Sequence, residues 1–271
     1  MDRRVLGFTV LCFACDSADD PTGSVRGEID ALINIPVASV LSSTLLVGPT
    51  DESLLLLEHS GTLVLDGTSY GAEDEVHLIG LRFASDLRVV WVRDYGVVNQ
   101  PGFAGGRWGA TQVTLLLAQG TMQTASGAAE APAFVRIALA DGVAIDSIAI
   151  NRDGGAVEPL SVVGSASSLS VVGRFLPSTT AEASESTSEL WVARYPPDVS
   201  GGMLWERFIA SEGGDAEGLD AAVDRSDNLV LRGRSEGPLG ELQSIAGTFI
   251  AKLGTTQGDV LWTRAISPSA D

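Results

Sequence analysis

The chain has little of several residue types, and each shortage excludes a class of partner or site. Lys252 is its one lysine, and the formal net charge over 271 residues is −18. Nucleic acids and anionic lipid headgroups are bound through basic patches, so the sequence excludes both as partners. The acidic balance by itself indicates a well-solvated surface.

Cysteine is almost absent. Cys12 and Cys15 are the two cysteines, and both lie close to the N-terminus. The rest of the chain can therefore form no internal disulfide and no cysteine-based metal site. After residue 15, no stretch approaches the roughly 18 consecutive apolar residues of a membrane span.

Histidine is equally scarce, which limits the chemistry that can be expected. His59 and His77 share no metal-ligand spacing with a carboxylate pair, and we interpret both as surface or edge residues. Residues 67–71 match the G-x-S-x-G nucleophile elbow of hydrolases, but a strand rather than a helix is expected to follow. Residues 233–237 repeat that spacing at the equivalent turn, so the repeat explains it. We predict no catalytic residue and no enzymatic activity.

One acidic segment is a candidate metal site. Asp215, Glu217 and Asp220 could offer oxygens to calcium. Their spacing matches no complete calcium loop, and glycine-rich acidic turns are common. The sequence therefore predicts neither a metal nor a cofactor.

Short aliphatic runs closed by glycine are abundant. Four windows of equal length align without a gap, at positions 55–67, 108–120, 161–173 and 221–233. Each window ends on a glycine, and these glycines recur at a nearly constant interval along the chain. A regular long period of this kind indicates a repeat architecture. Runs of strand-forming residues bounded by turn residues, with no helical period, indicate that each repeat is built from strands.

A second pattern lies near the end of each repeat. A Trp-x-Arg pair recurs in three repeats and is replaced in the other: Trp91/Arg93, Trp205/Arg207 and Trp262/Arg264, with Asp146/Ile148 in the second repeat. We interpret these tryptophans as packing residues between neighbouring sheets, with ligand binding as the alternative.

Repeats that each contain four antiparallel strands are typical of propeller blades. The predicted fold is all-β, a β-propeller-like array of four-stranded antiparallel blades. Four full repeats cover residues 51–267, and residues 29–47 supply a partial N-terminal one. A five-bladed ring, an open arc that dimerises and a fragment of a larger ring all stay open.

Part of the last repeat resembles a known family. Residues 219–266 contain DRSDNLVLRG, GTFIAKL and GDVLWTR. They resemble the repeat of bacterial secreted β-propeller proteins called SBBP, and GDVLWTR is also similar to quinoprotein-like propeller repeats, including those of outer-membrane assembly lipoproteins. The matching residues are structural, so the resemblance implies a propeller and no catalytic site.

The N-terminus has the order of an export signal. A positive start at residues 1–4 precedes an apolar run at 5–14 and a small acidic stretch. Cys15 directly after this run resembles the acylated cysteine of a bacterial lipoprotein signal, although Cys12 stands where that family has leucine. We predict a signal at 1–15, a flexible tether at 16–24 and a repeat domain at 25–271. An ordinary cleaved signal and a first apolar strand are the alternatives.

The expected binding surface is the segment 99–109, interpreted as a loop between two blades. It carries Phe103, Arg107 and Trp108, residue types enriched in binding hot spots. Burial of Trp108 in the core is the alternative. The sequence thus predicts an exported, lipid-anchored cell-envelope protein that binds protein partners or acts as a scaffold. A propeller enzyme, either quinoprotein-like or glycan-acting, and a truncated propeller without independent function are the alternatives.

Overall fold

The structure is a computed structural model that describes residues 7–14, 28–36, 39–65, 67–98, 102–178, 187–240 and 245–266. The chain divides into two compact units, Met1–Gln100 and Pro101–Asp271. The described residues contain many antiparallel strands and no α-helix. The predicted all-β class is therefore confirmed.

The described residues of the first unit form one four-stranded sheet and two hairpins. Sheet I has its strands in chain order: β3 (Ser39–Val47), β4 (Ser53–Ser60), β7 (Val76–Phe83) and β8 (Val89–Val97). The hairpins are β1 (Gly7–Ala14) with β2 (Glu28–Pro36), and β5 (Leu63–Leu65) with β6 (Thr68–Tyr70).

The predicted signal segment contains β1. Gly7–Ala14 pairs with β2 in an antiparallel register that shifts between Cys12 and Phe13. The backbone of residues 7–14 is therefore a strand, which agrees with the alternative interpretation of this segment as a first apolar strand rather than an export signal. Cys15 and the tether at 16–24 lie outside the described residues, so export and lipid attachment stay predictions.

In the second unit, the residues that the structure describes form three four-stranded antiparallel sheets. Sheet II consists of β9 (Gly102–Trp108), β10 (Gln112–Gln119), β13 (Ala133–Ala138) and β14 (Ala144–Ala149), with the hairpin β11 (Thr121–Thr124) and β12 (Gly127–Glu130) inserted between β10 and β13. Sheet III consists of β15 (Gly155–Gly164), β16 (Leu169–Pro177), β17 (Glu189–Tyr195) and β18 (Trp205–Ile209). Sheet IV consists of β19 (Ala216–Val223), β20 (Leu229–Leu239), β21 (Ile245–Leu253) and β22 (Val260–Ala265).

The four sheets share one register in their third and fourth strands. A cation recurs in the third strand, at Arg82, Arg136, Arg194 and Lys252. Directly opposite it in the fourth strand lie Trp91, Asp146, Trp205 and Trp262. The predicted alignment of these second halves, with Asp146 at the tryptophan position, is confirmed.

The gap-free alignment of the four glycine-closed windows is right only for the last two of them. Gly173 and Gly233 lie at matching positions, each opposite a first-strand residue that adjoins a β-bulge. In sheet II this position belongs to Leu117, which also lies opposite a bulge. Gly120 instead follows β10, and Gly67 lies in the turn between β5 and β6, both with left-handed backbone angles. Glycine is favoured at such turns because it adopts left-handed backbone angles without steric cost, whereas Gly173 and Gly233 lie within strands. This difference produced the false match.

The core of the second unit lies between successive sheets. Leu116 and Phe134 of sheet II pack in one buried cluster with Val171 and Trp191 of sheet III. A second cluster joins sheets III and IV, and its members include Val172, Leu190, Leu231 and Phe249. Sheet III, the middle one of the three, therefore buries residues of both faces against its neighbours.

Candidate functional site

The predicted binding loop is a strand. Residues Gly102–Trp108 form β9, the first strand of sheet II, so the interpretation of 99–109 as a loop was wrong. Phe103 pairs with Leu117, and Trp108 pairs with Val113. Both aromatic side chains are half-buried. Three glycines among the seven residues of β9 hid the strand, because glycine normally weakens one.

Arg107 joins sheet II to sheet III. Its guanidinium donates to the backbone oxygens of Ser165 at 2.6 Å, Ala166 at 3.2 Å and Pro197 at 3.3 Å. Gly164 lies against its aliphatic stem, where an added Cβ would come within 2.6 Å of the arginine Cγ. A planar guanidinium fits three carbonyls at once, so Arg107 has a clear structural role between the sheets.

We expect Arg107→Lys to reduce the free energy of unfolding by about 1–2 kcal/mol, because one ammonium cannot reach all three carbonyls. Urea denaturation would measure this. Arg225→Lys is the control, since Arg225 is exposed in a turn of sheet IV. Equal stability of the two variants would contradict the structural role.

The Trp-x-Arg pair of sheet III contacts the turn at 254–259 of sheet IV. The indole N–H of Trp205 donates to the Thr255 carbonyl oxygen at 2.9 Å. Its ring covers Gly258, where a Cβ would lie 2.7 Å from the ring. Arg207 adds an ion pair of 3.9 Å with Asp259. For Trp205, the predicted packing role between sheets is therefore confirmed.

The Trp-x-Arg pair of sheet IV lies at the surface. Trp262 is 38 % exposed, and the Arg264 guanidinium lies 5.8 Å from the centre of its ring. Leu261 and Ile266 on either side are also exposed. This group, Leu261, Trp262, Arg264 and Ile266, is referred to below as the β22 surface.

A buried ion pair also crosses from sheet III to sheet IV. The Arg194 side chain is 1 % exposed and pairs with the carboxylate of Asp227. Arg194 also donates to the backbone oxygen of Asp227 at 2.8 Å. Because the charge of Arg194 is almost fully removed from water, Asp227 is the group that makes its burial tolerable.

The two histidines are cross-strand neighbours in sheet I and are both buried, so their interpretation as surface or edge residues was wrong. His77 lies between two carboxylates, with Nδ1 at 3.1 Å from Asp94 and Nε2 at 3.2 Å from Glu75. The ring centres of His59 and His77 are 6.4 Å apart. Neither ring nitrogen of His59 has hydrogen-bonding geometry to a described group.

The pKa values of the two histidines are shifted in opposite directions. Burial lowers the pKa of His59. Burial also opposes the charged form of His77, but hydrogen bonds to Asp94 and Glu75 outweigh it and raise the pKa of His77. A raised pKa contributes stability below the unfolded value near 6.5, and this contribution is lost as the pH rises through the folded value.

We therefore expect His77→Gln to be more destabilising at about pH 5.5 than at about pH 8.5, by up to about 1 kcal/mol. His59→Leu should show the opposite trend, because a buried neutral histidine becomes unfavourable as the pH falls. Urea denaturation at both pH values measures the difference. If the cost of His77→Gln does not change with pH, the stabilisation of charged His77 by Asp94 and Glu75 is contradicted.

The G-x-S-x-G segment lacks the context of a nucleophile elbow. Thr68–Tyr70 is strand β6, and Ser69 is exposed on it. The N–H of Gly71 donates to Asp94 at 3.1 Å. Both ring nitrogens of His77 face carboxylates rather than Ser69.

The acidic residues of the candidate calcium segment serve local contacts. Asp215 accepts from the N–H and hydroxyl of Ser188 at 2.6 and 3.0 Å, and Asp220 accepts from Ser161 at 3.2 Å. Glu217 lies 3.7 Å from Arg174. Among the described residues, no group of three or more histidine, cysteine or acidic side chains is arranged to hold a metal ion.

No protein-family model matches the chain, and no curated protein matches it. In the part of the chain that the structure describes, no helix combines the length and apolar character needed to cross a membrane.

Proposed function

We propose that this protein is an exported cell-envelope protein, anchored by lipid at Cys15, that binds protein partners or acts as a scaffold. Its body would be a β-propeller-like array. The observation that carries the binding role is the β22 surface, where aromatic, aliphatic and arginine side chains are exposed together at one edge of the second unit. Tryptophan and arginine are among the residue types most enriched in binding hot spots.

The arrangement of the sheets supports the propeller-like part of the proposal. Sheets II, III and IV are joined through contacts between successive sheets, as in repeat proteins that present extended binding surfaces. The resemblance of residues 219–266 to secreted propeller repeats supports the same interpretation. A closed ring, an open arc and a fragment of a larger ring are all compatible with this proposal.

The proposal of a binder rather than an enzyme is supported by the roles of the polar groups. Arg107, Arg194 and Trp205 make contacts between sheets, and His77 is held between two carboxylates. A quinoprotein-like or glycan-acting enzyme would instead gain thermal stability from its cofactor or sugar.

The test is a crosslinked pull-down from native envelopes that compares the intact protein with Cys15→Ser. Cys12→Ser is the matched control, because it removes the other cysteine and leaves the proposed acylation site. We expect one dominant partner, lost or weakened only with Cys15→Ser, and release of that variant from the membrane fraction. A Cys15→Ser protein still held in the membrane, with no partner recovered from any variant, would overturn the proposal.

A further inference from the structure

We infer that the β22 surface is a docking site for the turn between the third and fourth strands of another sheet of this repeat type, carried by a different polypeptide. This inference deepens the proposed binding role and rests on it. It names the chemistry of the partner: a turn with a glycine in the left-handed conformation, an accessible backbone oxygen and an acidic side chain.

The contact between sheets III and IV is the template for this inference. Three features of the turn at 254–259 receive the Trp-x-Arg pair of sheet III. The Thr255 oxygen accepts the indole N–H, Gly258 leaves room for the ring, and Asp259 faces the arginine. Gly258 has a φ of 69°, a conformation that L side chains rarely adopt.

The Trp-x-Arg pair of sheet IV is in the same register as that of sheet III. Trp205 lies opposite Arg194, and Trp262 lies opposite Lys252. In both sheets the arginine follows two residues later, so its side chain leaves the same face of the strand. The two pairs therefore offer a partner the same groups, but Trp205 is buried to 8 % exposure while Trp262 is 38 % exposed.

The acceptor turn has the same backbone form in two of the described sheets, II and IV. In sheet II the N–H of Gly142 donates to the Ala138 oxygen at 3.0 Å, as the N–H of Gly258 does to the Gly254 oxygen at 3.1 Å. Both glycines have a left-handed φ. A partner whose repeat carries this glycine turn would thus fit the β22 surface.

A second copy of this chain is a poorer occupant. Its turn at 254–259 is already covered by its own Trp205. The corresponding turn of sheet I, at residues 84–88, carries Leu87 at the left-handed position, with a φ of 62°. A leucine side chain would occupy the space that the indole ring needs. The turn of sheet II has Gly142 at the left-handed position, but Val143 follows it where Asp259 follows Gly258, so that turn offers Arg264 no carboxylate there. A different polypeptide is therefore the better occupant.

The experiment uses the full-length protein labelled with ¹⁵N and an unlabelled, backbone-cyclised peptide of residues 249–264. The peptide carries Trp262→Ala, so that it presents only the turn. The five tryptophans give separate indole N–H signals, and Trp262→Phe in the protein identifies the one of interest. We expect the chemical shift of that signal to change and to saturate at millimolar concentrations of the peptide.

Matched peptides separate the three recognition features. Gly258→Ala in the peptide should abolish this change, because its Cβ would meet the ring. Asp259→Asn in the peptide, or Arg264→Met in the protein, should weaken binding by up to about fivefold, as expected for an exposed ion pair.

Three results with the peptides would overturn the inference: an unchanged Trp262 signal, an equal shift of that signal with the Gly258→Ala peptide, or a shift of another tryptophan signal alone. Self-association of the protein that Trp262→Ala abolishes would overturn it in favour of a second copy. The proposed function fails separately, through the Cys15→Ser pull-down. If the Trp262→Asp protein still recovers a partner in that pull-down, the proposed binding function stands and the docking site on the β22 surface is wrong.

Discussion

Replacing Asp227 by asparagine is expected to destabilise the second unit by about 3 kcal/mol. The substitution removes the charge that faces Arg194, whose side chain is 1 % exposed. An uncompensated buried guanidinium costs far more than a surface ion pair gains. Asparagine keeps the shape and tolerates the left-handed backbone of residue 227, where φ is 63°, so backbone strain does not explain the loss.

Urea denaturation of the unaltered protein and of four variants would measure this effect. We expect Arg194→Met to be much less damaging than Asp227→Asn, and the double variant to recover most of the loss, because the buried charge is then absent. Asp198→Asn is the control, since Asp198 lies exposed in a turn of sheet III. A loss with Asp227→Asn no larger than with Asp198→Asn would contradict the buried pair.

The same pair predicts a dependence on pH. Burial disfavours the ionised form of Asp227, but hydrogen bonds from Ser165 and Ser167 and the charge of Arg194 outweigh it and lower its pKa. A lowered carboxyl pKa contributes stability above the unfolded value, near 4, and this contribution is lost as the pH falls through the folded value. The cost of Asp227→Asn should therefore be full at neutral pH and shrink below about pH 4. A constant cost would show that charge is not its cause.

Gly173→Ala is expected to cost about 2–3 kcal/mol through overpacking. A Cβ built on Gly173 would lie 2.2 Å from the Glu158 carbonyl oxygen and 2.9 Å from the Cα of Pro159. Both are backbone atoms of β15, so no side chain can rotate away. The first strand would have to move from the second at the bulge, which weakens the pairing on both sides of it.

Gly201→Ala provides the control for this substitution. Gly201 lies in a turn of the same sheet, and its nearest neighbour to an added Cβ is the Pro196 side chain at 3.4 Å. We expect a change within about 0.5 kcal/mol there. Gly233→Ala in sheet IV should resemble Gly173→Ala, since its Cβ would lie 2.8 Å from the Glu217 carbonyl oxygen of β19, as well as 2.4 Å from the Phe249 ring. A tolerated Gly173→Ala would show that the bulge relaxes easily.

Strand pairing and the register of the second halves could be predicted from the sequence. The Trp-x-Arg pairs, with Asp146 in place of tryptophan in the second repeat, were enough to align the fourth strands of all four sheets. The structure agrees, because the tryptophan or Asp146 of each fourth strand lies opposite a cation in the third strand. The alignment of the first halves failed for a physical reason. Glycine serves two purposes here: close approach of strands at Gly173, and left-handed turns at Gly67 and Gly120.

The candidate site was harder to predict than the fold. Arg107 has the residue type of a hot spot, yet its partners are three backbone oxygens of sheet III that lie far from it in sequence. Backbone acceptors have no signature in a sequence. His59 and His77 could be placed in neighbouring strands only once the register of β4 and β7 was known. For Trp262, the repeat pattern indicates its equivalence to Trp205, but exposure decides its different role.

The junctions between sheets also determine how the second unit should come apart. Each junction combines a buried apolar cluster with its own polar contacts: Arg107 between sheets II and III, and Trp205 with the Arg194–Asp227 pair between sheets III and IV. In such a linear array, cooperativity is carried by coupling between nearest neighbours. Weakening one junction should split a single melting transition into two. The boundary where a protease would cut the protein during partial unfolding is thus set by a few side chains.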